Sequence, residues 1–369
     1  MFRQIFADLN QLLNQPRPPI ILIMGMRQTG KSTLAQNLTK GKKQIRFNFD
    51  LLSDRAEFIN QDRHSLAAFA EKYHGNLIII DEVQKEPRAI GLVKHLYDNF
   101  RMPFILTGSS EIKMRKGIGD SLTGRLHEVR LYPLTLKEIA IQKQETANYD
   151  THQKNLLAYL IYGSLPQLLN LEPAGHENYL KDYINSVISK DVLEIAGTRK
   201  TAQVFLLAKL LALQIGQLVN FNELAVNTEF SRVTVYQYID IFEQMGLVIK
   251  ARPMSTNERE SIAKATKIYF TDLGVRNALV DDFRPFNQRP DKGQILENAV
   301  LVGIKKHADY GQRNEQIGFF RSVHGSEIDI VQKQGLLENL YEVKTAARPG
   351  RKQTGKVKLI SLDNAQKFI

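Results

Sequence analysis

Residues 25–32 read Gly-Met-Arg-Gln-Thr-Gly-Lys-Ser, the G-x-x-x-x-G-K-[ST] pattern of a phosphate-binding loop. The apolar run Pro19-Ile-Ile-Leu-Ile-Met24 comes before it and reads as a buried parallel strand. Thr33-Leu-Ala-Gln-Asn-Leu38 comes after it with helical spacing. Strand, glycine loop and helix together turn backbone N–H groups and a helix N-terminus toward a phosphate. Gly25, Met26, Arg27, Gln28, Thr29 and Gly30 would form the cradle, with Thr33 beside it on the helix. Lys31 would neutralise β/γ-phosphate charge, and the Ser32 hydroxyl would hold Mg²⁺. The expected ligand is ATP with Mg²⁺.

At 369 residues the chain exceeds one ordinary core, so two or three domains are expected. An apolar content of 43% and a charged content of 24% are typical of globular protein. No apolar run approaches the length of a membrane span, and Met1-Phe-Arg-Gln-Ile-Phe6 lacks a signal-peptide profile, so a cytoplasmic protein is expected. Cysteine is absent, which removes disulfides and thiolate metal sites. The net charge of +11 favours an anionic partner such as nucleic acid.

Further strands lead away from the loop. Phe2 to Leu13 reads as an amphipathic helix and Gln44–Asp50 as a second strand. Leu77-Ile-Ile-Ile80 runs into Asp81-Glu82, a Walker B arrangement. Asp81 would hold Mg²⁺ through water, and Glu82 would orient or deprotonate the attacking water. Pro103-Phe-Ile-Leu106 ends in Thr107-Gly-Ser-Ser110, which places a hydroxyl between the two Walker motifs; Thr107 is the first choice and Ser109 the second. A helix from Glu111 and a strand at His127–Leu131 follow.

These motifs, with Leu122-Thr-Gly-Arg125 and Leu131-Tyr-Pro-Leu-Thr-Leu-Lys-Glu138, resemble the prokaryotic AAA-type (AAA+) ATPases across essentially the whole chain. The nearest branch carries a C-terminal half of uncharacterised role. The resemblance implies an α/β P-loop core over 1–135 and an arginine finger at Arg125 acting on a neighbouring subunit, hence an oligomer. A helical lid or linker would occupy 136–200.

Residues 201–285 read as helix, helix, turn, helix and two strands, a winged-helix pattern. Ser231, Arg232, Thr234 and Gln237 would meet DNA bases, with Lys250, Arg252, Arg259 and Lys264 near phosphates. Over 290–369, Glu297 on a helix, Asp329 on one strand and Glu342-Val-Lys344 on the next look like a PD-(D/E)XK nuclease fold. That likeness implies Mg²⁺ held by Glu297, Asp329 and Glu342, with Lys344 on the attacking water. Departures cut against cleavage: no proline precedes Asp329, and Pro349, Gly350 and Gly355 interrupt the helix expected next. Arg348, Arg351, Lys352, Lys356 and Lys358 make this end basic.

The sequence thus implies an Mg²⁺-dependent ATPase, oligomeric, coupling hydrolysis to binding or remodelling of duplex or branched DNA. A nucleotide-driven switch with protein partners and an ATP-dependent nuclease are the alternatives.

Overall fold

The computed structural model describes residues 1–60, 63–109, 122–145, 148–197, 200–254, 266–322, 326–346 and 357–369. They form two compact units, Met1–Tyr132 and Pro133–Ile369. The helix expected from Glu111, and Ser110, Arg259, Lys264, Arg348, Arg351, Lys352 and Lys356, lie outside the described residues.

In the first unit the strands are β1 (Ile20–Met24), β2 (Gln44–Asn48), β3 (Leu77–Asp81), β4 (Phe104–Gly108) and β5 (Leu126–Arg130). They pair in parallel in the order β2-β3-β4-β1-β5. The three unbroken apolar runs occupy the centre, where both faces are covered. The alternating segments, β2 and β5, take the edges. Among the described residues the helices of this unit are α1 (Phe6–Leu13), α2 (Lys31–Leu38), α3 (Leu52–Ile59), α4 (Arg63–Lys72) and α5 (Ala89–Phe100). The α1 helix begins later than the pattern implied: Ile5, Leu9 and Leu13 are buried, but Phe2 stays exposed. Because all five strands run the same way, their C-terminal ends share one edge, where ligands collect in open sheets.

The second unit opens with α6 (Leu136–Gln142), held by a reciprocal Thr135–Glu138 capping box. Then come α7 (Tyr149–Tyr162) and α8 (His176–Ser186), which runs on through a π turn, Val187–Val192, and a last turn, Leu193–Ala196. Helices α9 (Thr201–Leu213), α10 (Phe221–Thr228) and α11 (Arg232–Gln244) precede an antiparallel hairpin, β6 (Val248–Ala251) and β7 (Lys267–Phe270). Asn220 caps α10 and Ser231 caps α11 through their side chains. Next are α12 (Leu273–Val280), α13 (Lys292–Tyr310) and the strands β8 (Gln316–Arg321), β9 (Glu327–Gln334), β10 (Leu337–Val343) and β11 (Val357–Ile360). These strands order as β11-β10-β9-β8, with β10 and β11 parallel and the other pairs antiparallel.

The stretch expected as a helical lid or linker, 136–200, is part of this second unit. Its joint is the break after α7. Gly163 takes φ +71°, and a Cβ there would lie 2.0 Å from Asp272 Oδ1. The Ser164 N–H donates to Asp272 Oδ2 at 2.7 Å, and Asn277 Nδ2 donates to the carbonyls of Leu160 and Ile161. These bonds tie α7 to α12.

Candidate functional site

The loop between β1 and α2 is shaped by its glycines and by two buried side chains, Thr29 and Lys31. A Cβ at Gly25 would stand 2.2 Å from the Leu131 carbonyl oxygen, so only glycine lets the loop leave β1 this close to the strand beside it. Gln28 and Gly30 both take positive φ, at 61° and 90°. Thr29 is fully buried and donates its hydroxyl to the Met26 carbonyl at 3.0 Å, which staples the turn. Lys31 is buried and donates to the carbonyls of Gly25 and Met26 at 3.0 and 2.8 Å. Ser32 and Thr33 stand in the first turn of α2, at the N-terminus that carries the partial positive charge.

Strand order brings the acids to this loop. β4 lies between β1 and β3, with Ile23 opposite Thr107 and Leu106 opposite Ile80. Thr107 donates its hydroxyl to Asp81 Oδ1 at 2.8 Å and accepts from the Glu82 N–H at 3.3 Å. That single side chain fixes both acids. Glu82 sits in the left-handed region at φ 56°, so the chain turns sharply after β3.

Two contacts here had no motif to announce them. Arg46 on β2 pairs with Asp81 Oδ2, its Nε at 2.6 Å and its second nitrogen also in contact. Gln84 donates to Glu82 Oε2 and, at 3.1 Å, to Ser109 Oγ, while Ser109 donates to Glu82 at 3.2 Å. The Gln84 amide is oriented by the carboxylate it faces, since its oxygen would be repelled there. Its position two residues after Glu82 was the available signal; Arg46 gave none beyond being a charge on an edge strand.

Arg125 precedes β5, whose Leu126 pairs with Ile20 and whose Arg130 pairs with Met24. It therefore lies at the opposite edge of the sheet from the loop, about 16 Å away along the strand. It donates to Asp98 Oδ1 at 2.6 Å and to the Thr123 carbonyl. The ion pair with Arg125, by hydrogen bonding first, holds the Asp98 carboxyl below its ordinary range.

Loop, strand order and acids make the first unit a P-loop NTPase core. Residues 17–140 match the family model of an AAA domain. Residues 153–285 and 292–368 each match a domain of unknown function. An uncharacterized protein of Haemophilus influenzae is 23% identical over 334 residues, covering 85% of this chain and 82% of that protein. One from Methanocaldococcus jannaschii is 26% identical over 328 residues, covering 79% and 69%. Among solved structures, a Walker-type ATPase of Pyrococcus abyssi aligns at 14% identity with a TM-score of 0.49, covering 75% of this chain and 95% of that one. The ORC1 protein of Aeropyrum pernix, solved with DNA, aligns at 14% identity with a TM-score of 0.37, covering 75% and 91%.

In the second unit the residues expected to meet nucleic acid separate into two groups. Arg232 and Gln237 are exposed on α11, Arg232 lying over the Tyr236 ring at 6.0 Å, and Arg252 is exposed beyond β6. Thr234 is engaged with the capping residue, its hydroxyl 2.8 Å from that of Ser231. Lys250 does not face outward as a phosphate contact. Its ammonium lies 2.5 Å from Asp240 and 2.7 Å from Glu243, because packing β6 on α11 brings the strand's lysine against that helix's acids. Burial opposes the charge, but the two carboxylates outweigh it and raise the Lys250 pKa.

The acids expected to hold Mg²⁺ near the C-terminus are not gathered for it. Among the described residues no group of three acids or histidines could hold a metal ion. Asp329 Oδ2 accepts the Val343 N–H at 2.7 Å. Glu342 pairs with Lys344 at 3.2 Å on the exposed side. Glu297 accepts from Tyr269 OH at 2.6 Å and lies 3.4 Å from Lys267. Burial pushes Glu297 up to about 7, with Lys267 opposing and Asp329 adding to the shift. Burial likewise raises Asp329, against the Val343 bond. For Lys267 the only signal in the sequence is a lysine that opens the apolar run Lys267-Ile-Tyr-Phe270.

Proposed function

We propose that this chain is an Mg²⁺-dependent ATPase of the AAA+ kind. One observation carries the reading: the buried Thr107 hydroxyl, on the strand directly beside the phosphate-binding loop's own strand, holds Asp81 and Glu82 at the end of the next strand. The residues fit a magnesium ion, since Ser32 and Asp81 offer the hard oxygen donors it takes. When bound, the ion would neutralise phosphate charge, with Ser32 and Asp81 as its protein contacts. Lys31 would leave its loop carbonyls for the β/γ-phosphates, and Arg46 would leave Asp81. Glu82 would take the proton of the attacking water, kept in line by Gln84 and Ser109. Turnover of ATP by the full chain tests this: Lys31→Ala should lose binding, and Glu82→Gln should bind ATP yet lose at least 100-fold in turnover. A Glu82→Gln chain that turns over normally would refute the role.

In this reading Arg125 acts in trans, so its place away from its own loop is no obstacle. Arg125→Ala should keep ATP affinity and lose hydrolysis, and turnover per chain in the parent should rise with concentration. Turnover that is flat with concentration and unchanged in Arg125→Ala counts against it.

The helices and hairpin of 201–285 would work as a winged helix that engages DNA through Arg232, Gln237 and Arg252. A specific observation favours a second reading, docking of a protein partner. Val226 is 78% and Val233 66% exposed on α10 and α11, and Lys250 is already neutralised. DNA binding across a salt series separates the two, because phosphate contacts give a steep fall of log K with log[salt]. No binding to duplex or branched DNA at 50 mM salt would leave the protein-partner reading.

A further inference from the structure

Charged side chains from three elements of the second unit converge on one buried point. Lys267, the first residue of β7, is almost fully buried. Its ammonium lies 2.7 Å from Glu327 on β9 and 3.4 Å from Glu297 on α13, above the Phe319 ring of β8 at 5.1 Å. Asp329, two residues along β9 from Glu327, adds its field to the same lysine. Tyr269 projects from the same face of β7 as Lys267 and donates to Glu297.

Carboxylates gathered this closely need a cation, although Glu327 is itself exposed, and two candidates exist: a divalent ion, as the nuclease likeness implied, or the lysine. The donor set does not suit the ion. A magnesium ion needs oxygens at about 2.1 Å in near-octahedral array. Here one oxygen of Asp329 is committed to a backbone N–H, Glu342 is turned to Lys344, and the space facing Glu297 and Glu327 holds an ammonium.

Nor is the lysine a loose side chain. Lys267 pairs with Ala251 across the hairpin. The chain beyond β6 is bonded to β8, with the Met254 N–H donating to the Phe319 carbonyl at 2.7 Å and the Phe319 N–H donating to Arg252 at 3.2 Å. The hairpin that carries the lysine is therefore joined by backbone to β8, which pairs with the strand that carries Glu327.

We infer that Lys267 is the built-in cation of this acidic cluster: the face that resembles a nuclease site is closed to divalent metal and serves as an ion-pair joint. The joint fastens the β6–β7 hairpin to α13 and β9. Phosphodiester cleavage is then not an activity of this face, whatever the ATP site does.

The test is a Mn²⁺ titration, followed by electron paramagnetic resonance, of the nucleotide-free full chain, its Lys267→Met and Lys267→Arg variants, and Lys267→Met/Glu297→Gln. The parent and Lys267→Arg should show no Mn²⁺ site that depends on Glu297. Lys267→Met should bind Mn²⁺ at least tenfold more tightly, and the double variant should lose that gain. Thermal unfolding supplies a second readout. Lys267→Met should unfold at lower temperature, and adding Glu297→Gln should recover part of the loss by removing the uncompensated charge. A parent chain whose Mn²⁺ binding disappears in Glu297→Gln or Asp329→Asn would overturn the inference, and that arm decides even if Lys267→Met does not fold. An additive loss in the double variant would overturn it equally.

Discussion

Replacing Thr107 by valine removes one hydroxyl from the centre of the proposed ATP site while keeping the side-chain shape. Thr107 is fully buried and Asp81 is 2% exposed, so water cannot stand in for the lost group. The hydroxyl gives Asp81 a charge-assisted hydrogen bond at 2.8 Å and accepts the Glu82 N–H at 3.3 Å. Losing the first costs about 1.5–3 kcal/mol, and leaving the second unpaired adds about 1 kcal/mol. Arg46 still pairs with Asp81, which limits the total to about 2–4 kcal/mol. Thr107→Ser keeps the hydroxyl and loses only a methyl group, about 1 kcal/mol. The two variants should therefore differ by about 1–3 kcal/mol, or roughly 4–12 °C in the unfolding midpoint for a unit of this size. Thermal unfolding followed by circular dichroism measures that gap. ATP turnover should fall about 10- to 100-fold in the valine variant and far less in the serine variant. A valine variant as stable and as active as the serine variant would show that the hydroxyl does not hold the two acids.

Gly163→Ala should destabilise the second unit by about 2–4 kcal/mol, measured by urea unfolding, since the position has positive φ and its Cβ would meet Asp272; wild-type stability would refute the joint. The Asp282 carboxyl is held down to about 2, first by hydrogen bonding to Arg284, so its contribution is present above its unfolded value near 3.8 and lost as pH falls through about 2. With Arg284 more than half exposed, Asp282→Asn should cost only about 1 kcal/mol at pH 7, a difference that shrinks below pH 4 in pH-dependent unfolding; a cost that persists at pH 2 would contradict this. If DNA is the partner, Arg232→Ala should lower affinity and reduce the salt slope by about 1, whereas Lys250→Gln should change neither by more than twofold in fluorescence anisotropy. Equal effects would mean that Lys250 leaves Asp240 and Glu243 to reach phosphate.

Local order fixed much of this protein. The glycine loop, the run ending in Asp81-Glu82 and the strand ending at Thr107 all sit where their neighbours in sequence placed them, because short-range spacing and burial suffice to form them. Strand order, cross-strand pairing and side-chain partners depend on residues far apart in the chain, and periodicity carries no record of them. So only the tertiary structure set β4 between β1 and β3, put Arg46 on Asp81, turned Lys250 onto the acids of α11 and packed α7 and α8 against α12. The same holds for Lys267: its sequence shows a charge at the start of an apolar strand, and only the fold shows the three carboxylates around it.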